Sequence, residues 1–166
     1  MLVIGIDPGT ATTGYGLVRE NDRRELEVVD YGVITTPSQW DMPDRLHSIY
    51  TQLSEILQEH HPETSAVEKL YFQTNVKTAL SVGQGRGAAL IALAASQIPV
   101  GEYTPMEIKQ AVVGYGNADK NQVQQMVKML LNLDQVPAPD DAADALAVAI
   151  CHIHASQFHQ RTGGAS

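Results

Sequence analysis

Three apolar runs in this chain begin or end on carboxylates. Leu2-Val3-Ile4-Gly5-Ile6 ends in Asp7, the short run Ser65-Ala66-Val67 ends in Glu68, and Asp141 and Asp144 open a stretch that continues as Ala145-Leu146-Ala147-Val148-Ala149-Ile150. A charge at the mouth of a buried segment costs desolvation energy unless something pairs it. No Lys or Arg stands close in sequence to Asp7, Asp141 or Asp144. Any fold that buries these runs must bring compensation from far along the chain, or gather the acids around a cation. Hard divalent ions such as Mg²⁺ prefer oxygen ligands. Converging carboxylates of this kind belong to metal-assisted phosphoryl transfer.

The chain has 166 residues, 43% of them hydrophobic, enough for one domain with a full core. The expected domain covers 1–160, with 161–166 as a disordered tail. No apolar run reaches the length of a membrane span, and no basic-then-apolar leader opens the sequence. The single cysteine, Cys151, excludes an intramolecular disulfide and fits a reducing cytoplasm. A net charge of −8 argues against a simple basic DNA-coating protein. The charge is uneven, however. Residues 1–63 carry 4 Lys/Arg against 11 Asp/Glu, whereas 64–138 carry 6 against 5. A polyanion would lie against that middle segment.

Residues 2–7, 14–19 and 26–35 read as three strands, with 20–25 as a charged hairpin loop, and so as an antiparallel meander. Leu46, Ile49, Tyr50, Leu53, Ile56 and Leu57 recur at helical spacing. Asp41 is the expected N-cap of that helix, and Pro43 falls in its first turn. Pro62 stops it. Strands are expected at 65–69 and 99–103, and helices at 74–96, 105–113, 119–131 and 140–159. Pro137-Ala138-Pro139 is a stiff connector. This order indicates a layered α/β fold. Parallel strands in such a sheet carry functional residues at their carboxyl ends, which is where Asp7 and Glu68 fall.

Each candidate also has an ordinary structural explanation. Asp7 alone reads as a turn acid before Pro8 and Gly9, or as part of an Asp-x-Gly-Thr phosphate turn. Glu68 could pair with a neighbour, but Lys69 points to the other face of the strand. Acids at a helix start complement the macrodipole, and Asp140 reads as that acid. Spacing does not choose among them: 141 and 144 are i,i+3, 140 and 144 are i,i+4, and both pairs share a face. Asp144 precedes a helix that is apolar on nearly every side, so it faces a site. Tyr71 and Phe72 read as a core lid or as rings that stack on or wedge between bases, one for each task. Gly83-Gln84-Gly85-Arg86-Gly87 interrupts a helix at a cost of about 1 kcal/mol per glycine, offset by close approach of another backbone or of DNA. Arg86 in that segment is a candidate DNA contact. Lys109 and Lys120 read as solvated helix charges or as phosphate contacts. Cys151, His152 and His154 do not make a metal set, because 152 and 154 diverge around a helix.

Gly5-Ile6-Asp7-Pro8-Gly9, Val67-Glu68-Lys69-Leu70-Tyr71-Phe72, Val112-Val113-Gly114-Tyr115-Gly116 and Asp141-Ala142-Ala143-Asp144-Ala145-Leu146-Ala147 follow one another in this order over nearly the whole chain. In these pieces the sequence resembles the RuvC family of Holliday-junction resolvases. The resemblance implies an RNase H-like fold, with a five-stranded mixed sheet of three antiparallel and two parallel strands flanked by helices. It implies an endonuclease that nicks four-way DNA junctions symmetrically by two-metal hydrolysis in recombination and repair. Asp7, Glu68, Asp141 and Asp144 are the implied metal ligands, for two Mg²⁺ per site with Mn²⁺ as a substitute. Lys120 would offset charge in the transition state. Lys109, Lys120 and Tyr71 are the implied DNA contacts, and Tyr71 stands where relatives often have Phe. A homodimer, and cooperation with the RuvA and RuvB branch-migration proteins, are implied too. The Gly-rich helix is the candidate dimer surface. Two rivals remain. An actin-like ATPase or kinase needs a second phosphate loop that 166 residues do not show. A junction-binding module that does not cut has no need of four intact acids.

Overall fold

The computed structural model describes residues 1–69 and 76–161. The chain opens with three strands: β1 (Leu2–Asp7), β2 (Thr12–Glu20) and β3 (Leu26–Thr35). Helix α1 (Met42–His60) leads to β4 (Thr64–Glu68), and α2 (Val76–Ala95) leads to β5 (Val100–Tyr103). Helices α3 (Pro105–Val113), α4 (Lys120–Leu130) and α5 (Asp140–Arg161) complete the described chain. The five-stranded sheet has the order β3-β2-β1-β4-β5. β1 pairs antiparallel with β2, and β2 with β3; β4 lies parallel to β1, and β5 parallel to β4. The expected mixed sheet is therefore present.

Element ends differ from the sequence pattern in small ways. β2 begins at Thr12, because Thr12 and Thr13 extend the ladder opposite Thr35 and Ile34. β4 ends at Glu68, although the Lys69 N–H still donates to the Tyr103 carbonyl. Asp41 holds the N-cap position of α1 without a side-chain cap bond. His61 ends α1 in the left-handed region, with φ 49°, its N–H donating to the Leu57 carbonyl. α5 runs to Arg161, two residues past the expected end.

Strand alternation divides the core in two. Leu2, Ile4 and Ile6 of β1 pack with Ile49, Leu53 and Leu57 of α1 and Ala89, Ala92 and Leu93 of α2. Val3 and Ala66 face the other way, toward α3, α4 and α5. Asp7 shares the Val3 face and Glu68 the Ala66 face. Both acids therefore emerge beneath α5. That helix is buried almost all round from Ala142 to Ile153, which explains its unbroken apolar run.

Two glycines set how closely α5 approaches. A Cβ on Gly5 would lie 2.1 Å from the Ala145 carbonyl oxygen and 2.5 Å from the Ala149 nitrogen. A Cβ on Gly14 would lie 2.0 Å from the Asp141 carbonyl oxygen. The helix rests backbone-on-backbone upon β1 and β2. Since Gly14 is the cross-strand partner of Asp7, this contact delivers the first turn of α5 to Asp7. Gly5→Ala should accordingly cost about 1–3 kcal/mol or more, as an overpacked core does. Urea unfolding measures it, and a near-neutral result would contradict the close approach.

Candidate active site

Parallel pairing of β1 with β4 places Ile6 beside Val67, one residue short of each acid. Asp7 and Glu68 thus end adjoining strands on the same face. Asp141 and Asp144 descend from α5 above them. Asp7 feels all three partners. Burial first, and then repulsion from Glu68, Asp144 and Asp141, push its carboxyl from 3.8 up to about 7, with Lys120 pulling weakly the other way. Burial and then Asp144 raise Glu68, opposed by Lys109. Burial also raises Asp144, opposed by its hydrogen bond to Lys120. Acids that lie more than sixty residues apart in sequence share one electrostatic site.

Two lysines flank it. Asp119 caps α4 and forms a reciprocal capping box with Gln122, so Lys120 stands in the first turn. A cation there opposes the helix macrodipole. Its compensation comes from α5: Lys120 Nζ lies 3.0 Å from Asp144 Oδ2 and 3.2 Å from Asp140 Oδ2. Burial works to lower the Lys120 ammonium, but these carboxylates outweigh it and raise it. Lys109 of α3 joins Glu68, Lys120 and Asp144 in lining one cleft, of about 200 Å³. On the other side of the acids a second cleft is lined by Gly9, Thr10, Thr12, Ser81 and Asp141.

Among the described residues, no three His, Cys, Asp or Glu side chains close into a ready metal cage. The acids repel one another, and Lys120 draws Asp144 to itself. The donor chemistry nevertheless fits a hard cation. The groups are carboxylate oxygens, and Asp7 is held against ionisation by burial first and then by three neighbours of its own sign. A divalent ion entering such a site would relieve that strain.

Several expectations change in space. Asp140 does more than begin a helix, since it is the second partner of Lys120. Arg86 is not among the residues lining either cleft. It forms an ion pair with Glu102, and its Nε–H donates to the Glu68 carbonyl at 3.4 Å. Arg86 thus has partners within the fold. His152 is held between the Tyr103 hydroxyl (2.9 Å) and the Thr64 hydroxyl (3.0 Å), and His154 Nδ1 lies 3.0 Å from the Ala111 carbonyl. Both are structural, as the helix spacing required. Tyr71 and Phe72 lie outside the described residues. Sequence reasoning missed the hydrogen bond between Thr10 and Ser81, 2.5 Å across the second cleft; nothing in their spacing signals it.

Fold and donor set together define an α/β protein with acids at adjoining strand ends beneath a helix. A family model described as crossover junction endodeoxyribonuclease RuvC matches residues 3–152. The chain is 56% identical to the crossover junction endodeoxyribonuclease RuvC of Alkaliphilus oremlandii over 95% of its own length and 96% of that protein's. It is also 56% identical to the RuvC of Syntrophomonas wolfei, covering 93% and 89% of the two chains. The structure of Thermus thermophilus RuvC in complex with a Holliday junction substrate superposes with a TM-score of 0.90 at 35% identity, covering 95% of this chain and 96% of that one. The yeast mitochondrial Holliday junction resolvase Ydc2 superposes at 0.69 with 18% identity, a likeness of fold. The chain belongs to the RuvC family, whose RNase H-like fold it has. Membership implies dependence on a divalent metal.

The raised Asp7 carboxyl has a pH consequence. Between its ordinary 3.8 and the folded value of about 7, the native state holds more protons than the unfolded chain. Stability of the metal-free protein therefore falls as pH rises through that window. Asp7→Asn should reduce this slope, leaving the share of Glu68 and Asp144, which burial also raises, and raise the metal-free Tm at pH 8, by about 2–4 °C for each kcal/mol of strain relieved. A scan of Tm against pH with a chelator present checks it. An unchanged slope in the variant would show that Asp7 is not the strained group.

Proposed function

We propose that this protein resolves four-way DNA junctions, holding two Mg²⁺ ions with Asp7, Glu68, Asp141 and Asp144. The observation that carries the assignment is the gathering of these acids around Asp7, with its carboxyl pushed up to about 7, in a chain of this family. Mn²⁺, another hard ion, would serve as a substitute. Divalent metal bound there would supply Lewis-acid polarisation of the phosphate and a more acidic water. The carboxylates would seat the cations, rather than the phosphate itself, where the β1 and β4 ends meet. Lys120 leans on Asp144 in the resting protein and offers its ammonium to the phosphate oxygens as charge builds. Lys109 holds phosphate at the rim of the same cleft. Water adds to phosphorus and the P–O3′ bond breaks, leaving a 5′-phosphate and a 3′-hydroxyl. Tyr71 would stack on bases at the opened junction centre, with Phe72 taking the lid role or a second DNA contact.

Junction symmetry calls for two such sites. A second copy would supply the other one, seated on the outer face of α1 and α2. There a groove of about 390 Å³ is lined by Leu46, Tyr50, Ala88 and Ile91, and Ile91 is 62% exposed. Two sites related by a dyad would nick strands of like polarity. RuvA and RuvB would present the junction, in the cytoplasm. No helix among the described residues is long and apolar enough to cross a membrane.

Incubation of the protein with a synthetic four-way junction, with and without Mg²⁺, should give paired symmetric nicks only with metal. Asp7→Asn should abolish cutting while junction affinity persists and still falls steeply with salt. Retained nicking by that variant would defeat the metal assignment. Ile91→Glu should shift the protein toward monomer in analytical ultracentrifugation. An unshifted dimer would place the interface elsewhere.

A further inference from the structure

Helix α5 holds the acids from one face of the sheet, and the β1–β4 ladder stops at Ile6 and Val67, one residue short of Asp7 and Glu68. On the opposite face, α2 touches both ends. Ser81 Oγ shares a 2.5 Å hydrogen bond with Thr10 Oγ1, in the turn that follows Asp7. One helical turn on, a Cβ at Gly85 would lie 2.9 Å from both the carbonyl carbon and oxygen of Gly9, so the helix backbone rests on that turn. The next residue, Arg86, reaches the other strand. Its Nε–H donates to the backbone carbonyl of Glu68 at 3.4 Å, and its guanidinium pairs with Glu102 of β5. The turn after Asp7 is itself tied from below: Thr36 Oγ1 donates to the Thr10 carbonyl at 2.5 Å, and Arg45 Nε donates to Thr36 Oγ1 at 2.8 Å.

We infer that Ser81, Gly85 and Arg86 form a brace that sets the distance between the Asp7 and Glu68 carboxylates, with Arg86 and Glu102 as positioning residues for the reaction. The inference rests on the nuclease assignment proposed above. Arg86 holds a strand end and never meets phosphate. Its planar fork spans two acceptors on adjoining strands, the Glu68 carbonyl and the Glu102 carboxylate, which a lysine's point charge does not reproduce. Glu102 completes the clamp by fixing the direction of the fork. Outer partners of this kind matter because carboxylates that repel one another drift apart unless their backbones are held.

The test compares the intact protein with Arg86→Ala, Arg86→Lys and Glu102→Gln. Cleavage of a synthetic four-way junction is followed across a range of Mg²⁺ concentrations, and junction affinity is measured separately with metal chelated. Arg86→Ala should lower cleavage about 10–100-fold at limiting metal, as loss of an outer partner does. Excess metal should recover part of the loss, while affinity without metal and its salt slope stay unchanged. Glu102→Gln should shift cleavage in the same direction by less, and Arg86→Lys should fall between. Weakened affinity in Arg86→Ala, with the salt slope reduced by about one, would make Arg86 a phosphate contact and overturn the inference. So would unchanged or tighter binding with full cleavage in Glu102→Gln. Full activity in every variant also overturns it but leaves the nuclease assignment standing. Only an intact protein that does not cut would bring down that assignment.

Discussion

The seating of α5 on the sheet governs this molecule. An α-helix ordinarily keeps side chains between its backbone and a neighbouring sheet. Here the carbonyls of Asp141 and Ala145 come down to within contact of Gly14 and Gly5. Without that approach, the first turn of α5 would ride higher and Asp141 and Asp144 would lose electrostatic contact with Asp7. The apolar run behind them, buried to Ile153, anchors the helix. Burial thus provides the force, the glycines fix the distance, and the acids are carried along.

The arrangement opposes itself electrically. Burial and like charge together disfavour ionised Asp7, and the two lysines only partly offset the group. Lys120 stands where the dipole of its own helix disfavours a cation, held by Asp140 and Asp144 from another element. A site tuned for stability alone would place neither the acids nor that lysine in this way. The strain makes sense as readiness for a divalent ion and a phosphodiester.

Much of this was legible in the chain. The ends of two apolar runs marked Asp7 and Glu68 as strand-end acids; that β1 and β4 are neighbours, which brings the two together, shows in the sheet order. The all-round apolar helix marked Asp144 as facing a site. What stayed hidden was of two kinds. Pairing between remote elements leaves no local trace, so the Lys120–Asp140 contact and the Arg86–Glu102 clamp were invisible. Arg86 looked like a DNA contact because it sits among glycines, yet only Gly85 of that segment meets another backbone. A Cβ on Gly83 or Gly87 would meet nothing within 4 Å. Glycine in a strand is equally mute: nothing in the sequence marks Gly5 and Gly14 as the seats of α5.

The claim that these acids gather to bind divalent metal is tested most directly by calorimetric titration of Mg²⁺ or Mn²⁺ at pH 7 in two buffers of different ionisation enthalpy. A carboxyl held near 7 must give up its proton when a cation arrives. The account predicts saturable binding with net proton release, and loss of that release when Asp7 is replaced by Asn. Binding without proton release, or with the same release in the variant, would contradict it.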